Sequence, residues 1–228
     1  GMFFVEVWMP DSSSQERTLA ATKQVEAILA ETEGVNNYIA LPGFSLINNK
    51  NVQFLPLEIG KNFYNLTSLI ASGNAIRSLT KNELGRLYRL KSLNLESNEI
   101  ESVKFNAFDD LISLEILDLD YNKLTSLDGK IFSGNFYLKQ LTAHDNQLES
   151  LHEDIFEHNP MLESVRLQNN KISRLSHKML DHVPHMRKLS LAKNVCIDKN
   201  YEGTRIGSTY AVDISRMCEN REEKNLQF

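Results

Sequence analysis

Asparagine recurs at a fixed interval of 24 residues through most of this chain, and this repeat limits the fold more than any other feature. Positions one, four and eleven of each unit are apolar. Units begin at Leu66, Leu90, Leu114, Leu138, Leu162 and Met186, and the ninth residue is always Asn: Asn74, Asn98, Asn122, Asn146, Asn170 and Asn194. Six consecutive units without insertion or deletion predict stacked coils, because one such unit cannot bury its apolar side chains alone.

Each unit is expected to contain one short strand followed by a turn. Positions four and six are apolar between mostly polar neighbours, which is typical of a strand with one buried face. The Asn should end the strand, because its backbone tolerates turn conformations and its amide both donates and accepts hydrogen bonds. Stacked coils would place these amides in a ladder that satisfies buried backbone groups, each costing about 1–3 kcal/mol if unpaired. The apolar residue at position nineteen should fill the wider, convex half of the coil.

The pattern LxxLxLxxNxLxxL resembles the leucine-rich repeat family, and its 24-residue length resembles secreted animal, particularly arthropod, members. The resemblance implies an α/β solenoid, a right-handed curved horseshoe with a short parallel β-sheet on its concave face. It also implies a non-catalytic protein-recognition module. The expected divisions are a solenoid over 47–195, including a degenerate first coil, and a C-terminal cap over 196–228.

The chain contains two cysteines, Cys196 and Cys218, at the end of the repeats. They are too few for a zinc site with four cysteine or histidine ligands at short spacing, which leaves a disulfide or two buried free thiols. A disulfide here would stabilise the fold by roughly 3 kcal/mol. The segment 194–198, with Cys218 beyond it, resembles the C-terminal cap of secreted leucine-rich repeat proteins, which implies the disulfide and an extracellular location.

The first 46 residues do not follow the repeat and predict a strand, an amphipathic helix and a second strand. The segment from "FFVEVWMPDSSSQERT" to "GVNNYIALPGFSL" resembles part of the periplasmic porter region of bacterial resistance–nodulation–division efflux transporters. Together with the repeats, this resemblance implies a chimera, either a relative of an efflux-pump domain or an engineered fusion without a native function as a whole. The alternative is an N-terminal cap whose resemblance is accidental. No secretory signal is expected, because Glu6 and Pro10 interrupt the short apolar run at the start.

The variable positions beside positions four and six should lie on the concave face, which the family resemblance implies is the binding surface. The candidate partner-binding residues are Asn94, Glu96, Asp118, Asp120, Tyr121, Thr142, His144, Asp145, Arg166 and Gln168. Adjacent strands lie about 4.8 Å apart, so the carboxylates among them should influence one another. We expect this acidic surface to bind a basic patch on a protein partner. The alternative is the solvated face of an acidic protein.

Several other functions are disfavoured. The net charge of −5 and the absence of a basic block argue against binding nucleic acid through its phosphates. No apolar run is long enough for a membrane span. The six histidines, scattered over predicted strand ends and convex turns, indicate no catalytic triad, and no glycine-rich phosphate loop occurs, so neither an enzyme nor a cofactor is expected.

The sequence also bears on metal binding and on glycosylation. Asp118, Asp120, Asp145 and His144 lack a loop motif with fixed ligand positions, so we expect no metal site. Asn65 is a candidate glycosylation site in the triplet Asn-Leu-Thr, although Leu66 within that triplet should be buried. The sequence indicates neither the partner's identity nor the oligomeric state.

Overall fold

The computed structural model describes residues 53, 55, 59–62, 66–203 and 208–219. The predicted strand–helix–strand over residues 1–46 and the candidate glycosylation site Asn65 lie outside these described residues. The boundary proposed at residue 47 lies outside them as well, so the division of the chain into an N-terminal segment and a solenoid stays a prediction.

The described residues form a solenoid whose successive coils each add one strand to a sheet. In chain order the strands are β1 (Ser68–Ile70), β2 (Ser78–Leu79), β3 (Ser92–Asn94), β4 (Ser102–Val103), β5 (Ile116–Asp118), β6 (Gln140–Thr142), β7 (Ser164–Arg166), β8 (Lys188–Ser190) and β9 (Asn200–Glu202). The main sheet has the order β1-β3-β5-β6-β7-β8-β9. From β1 to β8 its strands are parallel and pair residues 24 apart, such as Leu69 with Leu93. The predicted repeat-solenoid fold is confirmed.

The helical segments are short and lie outside the main sheet. They are α1 (Ile59–Asn62), α2 (Lys81–Leu84), a 3₁₀-helix (His177–Leu180), α3 (Ser208–Ile214) and a π-helical turn (Ser215–Glu219). Helix α2 begins with a capping box, since Thr80 accepts from the Asn82 backbone N–H and Glu83 accepts from the Thr80 N–H. Strands β2 and β4 pair in a second, two-stranded parallel sheet that the sequence did not predict.

One continuous apolar core runs from Leu55 to Cys218. The position-nineteen rings of Phe108, Phe132 and Phe156 are fully buried and stack at centroid distances of 6.1 and 6.3 Å. Truncating any one of these rings would leave a cavity between two neighbours, a change that typically costs about 3–5 kcal/mol.

The predicted asparagine ladder is present and links each coil to the one before it. The Asn122 side-chain amide donates to the Leu119 carbonyl of its own coil and to the Leu95 carbonyl of the preceding coil, both at 3.0 Å. Its Oδ1 accepts from the Ile100 backbone N–H at 2.9 Å. Asn98, Asn146, Asn170 and Asn194 repeat the same three contacts.

The sharp turn after each strand falls one residue earlier than predicted. The left-handed backbone lies at position eight, immediately before the ladder Asn, with φ between 53° and 70°: Gly73, Ser97, Tyr121, Asp145, Asn169 and Lys193. Only the first of these is glycine, the residue that adopts this conformation without steric cost. At the other five positions the left-handed backbone is strained, and the hydrogen bonds of the surrounding ladder hold it in place.

A second pair of buried asparagines lies on the far side of the core. Asn135 and Asn159, at position 22 of consecutive units, are completely buried. The Asn135 amide donates to the Phe108 and Leu111 carbonyls at 3.0 Å, and Asn159 makes the equivalent contacts to Phe132 and Asn135. They satisfy carbonyl groups of the convex turns in the same way that the ladder satisfies those behind the strands.

The C-terminal cap covers the last coil with a strand, a helix and a covalent link. The predicted disulfide is confirmed, joining Cys196 and Cys218. Strand β9 pairs with β8 in the antiparallel direction, and Lys188 forms an ion pair with Glu202 across them. The His177 backbone N–H and ring Nδ1 contact Glu219 at 2.8 and 2.9 Å, so this histidine belongs to the junction with the cap rather than to a solvated turn.

Candidate functional site

The predicted binding residues form three columns on the concave side of the solenoid. Asn94, Asp118, Thr142 and Arg166 end four neighbouring strands and are register partners in sequence. Glu96, Asp120, His144 and Gln168 follow two residues later, where the chain leaves each strand. Tyr121 and Asp145 occupy the left-handed position next to them. The 24-residue register thus brings together residues that lie far apart in the chain.

Two residues of the first column also hold the backbone of the second column through hydrogen bonds. The Asn94 Oδ1 accepts from the Glu96 backbone N–H at 2.9 Å, and the Asp118 Oδ1 accepts from the Asp120 N–H at 3.0 Å. These local bonds hold the chain at the end of the strand, because a side-chain oxygen two residues earlier replaces a backbone acceptor.

A hydrogen-bonded group of five residues, which we call the central cluster, lies in the middle of this face: Asp120, Tyr121, His144, Asp145 and Asn169. The His144 ring lies between two carboxylates, with Nε2 2.7 Å from Asp120 Oδ2 and Nδ1 2.7 Å from Asp145 Oδ2. Asp120 Oδ1 also accepts from the His144 backbone N–H at 2.8 Å. The Tyr121 ring packs edge-on against the imidazole, with a centroid distance of 5.1 Å.

The sequence did not predict the fifth member of the cluster, Asn169. Its side-chain amide donates to both Asp145 oxygens, at 3.1 and 3.2 Å, and so fixes the carboxylate that faces His144. Asn169 occupies position eight, the column of Tyr121 and Asp145. That shared column is the signal from which its role could have been inferred.

Asp120 is the electrostatic centre of the cluster, with only 5% of its surface exposed. Burial raises the pKa of this carboxyl, and the nearby charge of Asp118 raises it further, to about 6. The His144 backbone N–H and ring charge act in the opposite direction without overcoming these effects. Since both ring nitrogens face carboxylate oxygens, full pairing needs either an imidazolium or a proton on one carboxyl.

The surroundings of the cluster differ from one side to the other. Tyr121 is half exposed, Asp118 and Glu96 are half-buried, and Arg166 is exposed on the side of the C-terminal cap. Among residues 66–203 and the other described segments, no group of three potential ligands is placed to hold a metal ion. None of the described helices is long and apolar enough to cross a bilayer.

Comparison with known protein families matches the repeat region. The leucine rich repeat model matches residues 88–148 and 136–195, which include β5 to β8 and the whole central cluster. No curated protein matches the sequence significantly. The family model does not reach residues 1–46, so the resemblance of that segment to efflux transporters, and the chimera that it implies, stay predictions.

Solved structures show the same fold. The chain is similar to TLR13 in the TLR13–ssRNA13 complex, with 27% identity, a TM-score of 0.61, and coverage of 65% of this chain and 21% of that one. It is similar to a leucine-rich repeat protein of Leptospira interrogans (30% identity, TM-score 0.55, coverage 61% and 34%). In fold it also resembles the APL1 leucine-rich repeat domain (22% identity, TM-score 0.58, coverage 65% and 39%). The chain thus spans well under half the length of these proteins. Its residues 88–195 are leucine-rich repeats by the family model, and the fold of the solenoid agrees with these structures.

Proposed function

We propose that this protein recognises a protein partner through the concave face of its solenoid. The observation that carries the proposal is the central cluster, in which a buried carboxylate is retained next to a second one and beside an exposed tyrosine. A charge with a strongly shifted pKa is costly, and such groups concentrate at functional sites. Tyr121 adds the kind of half-exposed aromatic side chain that frequently dominates binding energy.

The electrostatics favour a partner that presents a basic patch. Asp118 and Glu96 are half-buried carboxylates beside the cluster, Asp145 is a half-buried carboxylate within it, and Arg166 is an exposed positive charge on the side of the cap. A partner with lysine or arginine side chains opposite the carboxylates would gain in association rate and orientation. The TLR13 structure was obtained with single-stranded RNA, yet the acidic centre here would repel phosphates.

The location that suits this function is extracellular. The disulfide between Cys196 and Cys218 persists in oxidising compartments and is rare in the cytosol. The 24-residue register between coils agrees with the length typical of secreted animal leucine-rich repeat proteins, on which this part of the proposal rests. Secretion can be tested by following the mature protein in the medium of cells that express it.

The proposal can be tested by affinity capture with three forms of the full chain as bait. The first is the wild type. The second carries Glu96→Lys and Asp118→Lys, which reverse two surface charges and leave the buried Asp120 in place. The third, a matched control, carries Asp128→Lys and Glu157→Lys at exposed sites away from the concave face.

A specific partner should be captured by the wild type and the control and lost, by at least about tenfold, with the concave variant. Raising the salt concentration should weaken the interaction, because exposed charges are screened. Equal capture by all three baits would contradict binding at the concave face. Thermal unfolding of each bait checks that the substitutions have not disrupted the solenoid.

A further inference from the structure

A row of exposed apolar side chains runs along one edge of the solenoid, where each coil turns into its concave strand. The row, which we call the lateral strip, consists of the exposed position-23 and position-24 residues Tyr88, Ile112, Phe136, Tyr137 and Met161, together with the half-buried Pro160. Tyr88, Ile112, Phe136 and Tyr137 each expose about half of their surface. Single exposed apolar residues are common, but a contiguous series marks an interaction surface.

The members of the strip are held side by side. The Ser113 hydroxyl donates to the Tyr88 carbonyl at 2.7 Å and so joins two neighbouring coils at this edge. The rings of Phe136 and Tyr137 pack against each other at a centroid distance of 5.5 Å. The strip is therefore a formed surface of successive coils and lies outside the columns of the central cluster.

A row of charges borders the strip at position two and alternates in sign from coil to coil: Lys91, Glu115, Lys139, Glu163 and Arg187. Backbone hydrogen bonds connect these residues in succession, from Glu115 N–H to the Lys91 carbonyl and onwards to Arg187, at 2.8–2.9 Å. Glu115 also forms ion pairs with Lys91 at 3.1 Å and with Lys139 at 2.7 Å. Exposed ion pairs of this kind add little to stability. Exchanging them for ion pairs with a second surface would therefore cost the fold little.

The alternating row is complementary to a reversed copy of itself. We propose that the lateral strip is the contact surface for a second copy of this chain, in an antiparallel dimer with a two-fold axis between the coils of Ile112 and Phe136. Ile112 of each copy then lies opposite Phe136 of the other. Glu115 lies opposite Lys139, and Lys91 opposite Glu163.

The sign pattern favours an axis between coils over one that passes through a coil, and the apolar residues Ile112 and Phe136 at the centre of the strip place it between their two coils. A two-fold axis passing through a coil would place Lys139 opposite itself and Glu115 opposite Glu163, and such like-charge contacts are unfavourable. An axis between coils joins opposite charges at every step and makes the same patch serve both subunits, as closed two-fold interfaces require. The apolar strip supplies the buried centre, and the charges form the polar rim that surrounds it.

The apolar part of the proposal is tested by sedimentation equilibrium of the full chain. Wild type should show a concentration-dependent dimer, and Phe136→Asp should raise its dissociation constant at least about thirtyfold by burying a charge at the centre. The matched control is Phe105→Asp, since Phe105 is even more exposed but lies outside the strip. A wild type that stays monomeric up to its solubility limit, or a control as disruptive as Phe136→Asp, overturns the proposal.

The charge pattern permits a second, independent test. Glu115→Lys and Lys139→Glu should each weaken the homodimer about tenfold or more, because each variant sets like charges opposite each other at two symmetric places. An equimolar mixture of the two should recover a heterodimer, in which every opposed pair again has opposite signs. If the mixture associates no better than either variant alone, the antiparallel arrangement is wrong.

Discussion

The central cluster and the junction of the C-terminal cap both pair a histidine with carboxylates, and they treat the negative charge in opposite ways. In both places burial acts to raise the pKa of the carboxyl. At the junction, hydrogen bonds from the Ser215 hydroxyl, from the His177 backbone N–H and ring, and from Ser176 outweigh burial and lower the pKa of Glu219 to about 2. In the cluster, the charge of Asp118 adds to burial, and the pKa of Asp120 reaches about 6.

The difference separates a carboxylate that stabilises the fold from one that costs stability. Glu219 is ionised in the folded protein more readily than in the unfolded chain, so its charge contributes to holding the cap. Asp120 is ionised less readily, so its charge opposes folding at neutral pH. The cap junction is therefore organised for stability, whereas the concave face retains an unfavourable charge, which supports the recognition role proposed for it.

The largest expected effect is on the cap side of this comparison. Replacing both Cys196 and Cys218 by serine should lower the free energy of unfolding by about 3 kcal/mol, because the unfolded chain loses its cross-link. Denaturant titration measures the loss, and reduction of the wild type should reproduce it. The NMR signals of the His144 ring should stay unchanged, since the cluster lies outside the cap; a perturbed ring would contradict the independence of the two regions.

Glu219→Gln tests the favourable charge directly. It should lower the free energy of unfolding at pH 7 by about 1–3 kcal/mol, because the donors from His177 lose their charged acceptor. The folded pKa is lowered, so the stabilisation is present above the usual value of 4.5 and is lost as the pH falls towards about 2. Wild type and variant should thus converge in acid, as measured by denaturant titration at several pH values. Glu157→Gln, at an exposed site, is the control and should give no such convergence.

Asp120→Asn tests the unfavourable charge and should show the opposite pH dependence. The folded pKa is raised, so the native state binds the proton more tightly and stability is lost as the pH rises through about 6. From pH 7 to pH 4.5 the wild type should gain up to about 2 kcal/mol relative to Asp120→Asn. Calorimetric or denaturant unfolding at both pH values measures the gain. If the stability of the two proteins changed with pH in the same way, folding would not raise the pKa of Asp120. Asp128→Asn, at an exposed site, is the control.

The smallest expected effect distinguishes the two causes that raise the pKa of Asp120, which are its burial and the charge of Asp118. Asp118→Asn removes the neighbouring charge and leaves the burial of Asp120 intact. The midpoint of the Asp120 titration should move to lower pH by less than about one pH unit. Carbon-detected NMR of the carboxyl groups measures this midpoint, with Glu101→Gln as the control. An unmoved midpoint would assign the whole effect to burial.

The scaffold was predictable because its determinants repeat. Six aligned asparagines and the apolar positions around them predicted the strands, the ladder and the register, and the two cysteines together with the family resemblance predicted the disulfide. Position eight was missed because its residues, from Gly73 to Lys193, share a backbone conformation and no side-chain chemistry. Only the glycine in the first unit signals the left-handed turn there.

The site was predictable as a set of residues but not as a network. The register places Asp120 beside His144 in adjacent coils, yet it does not determine that both ring nitrogens meet carboxylates or that Asp120 is buried. Those properties depend on side-chain rotamers and on neighbours such as Asn169. Glu219 was missed for a related reason, since its partner His177 lies 42 residues away and outside the repeat register.

The asparagine ladder also determines how such a chain can change its length. Each rung spans two coils, with Asn122 holding the Leu95 carbonyl and the Ile100 amide of the coil before it. Duplication or loss of one whole 24-residue unit would preserve every rung, whereas inserting a single residue between two asparagines would displace one rung from its neighbour's backbone. Growth of the array by complete units is thus compatible with the fold. The concave face can gain one strand at a time while the existing coils keep their hydrogen bonds.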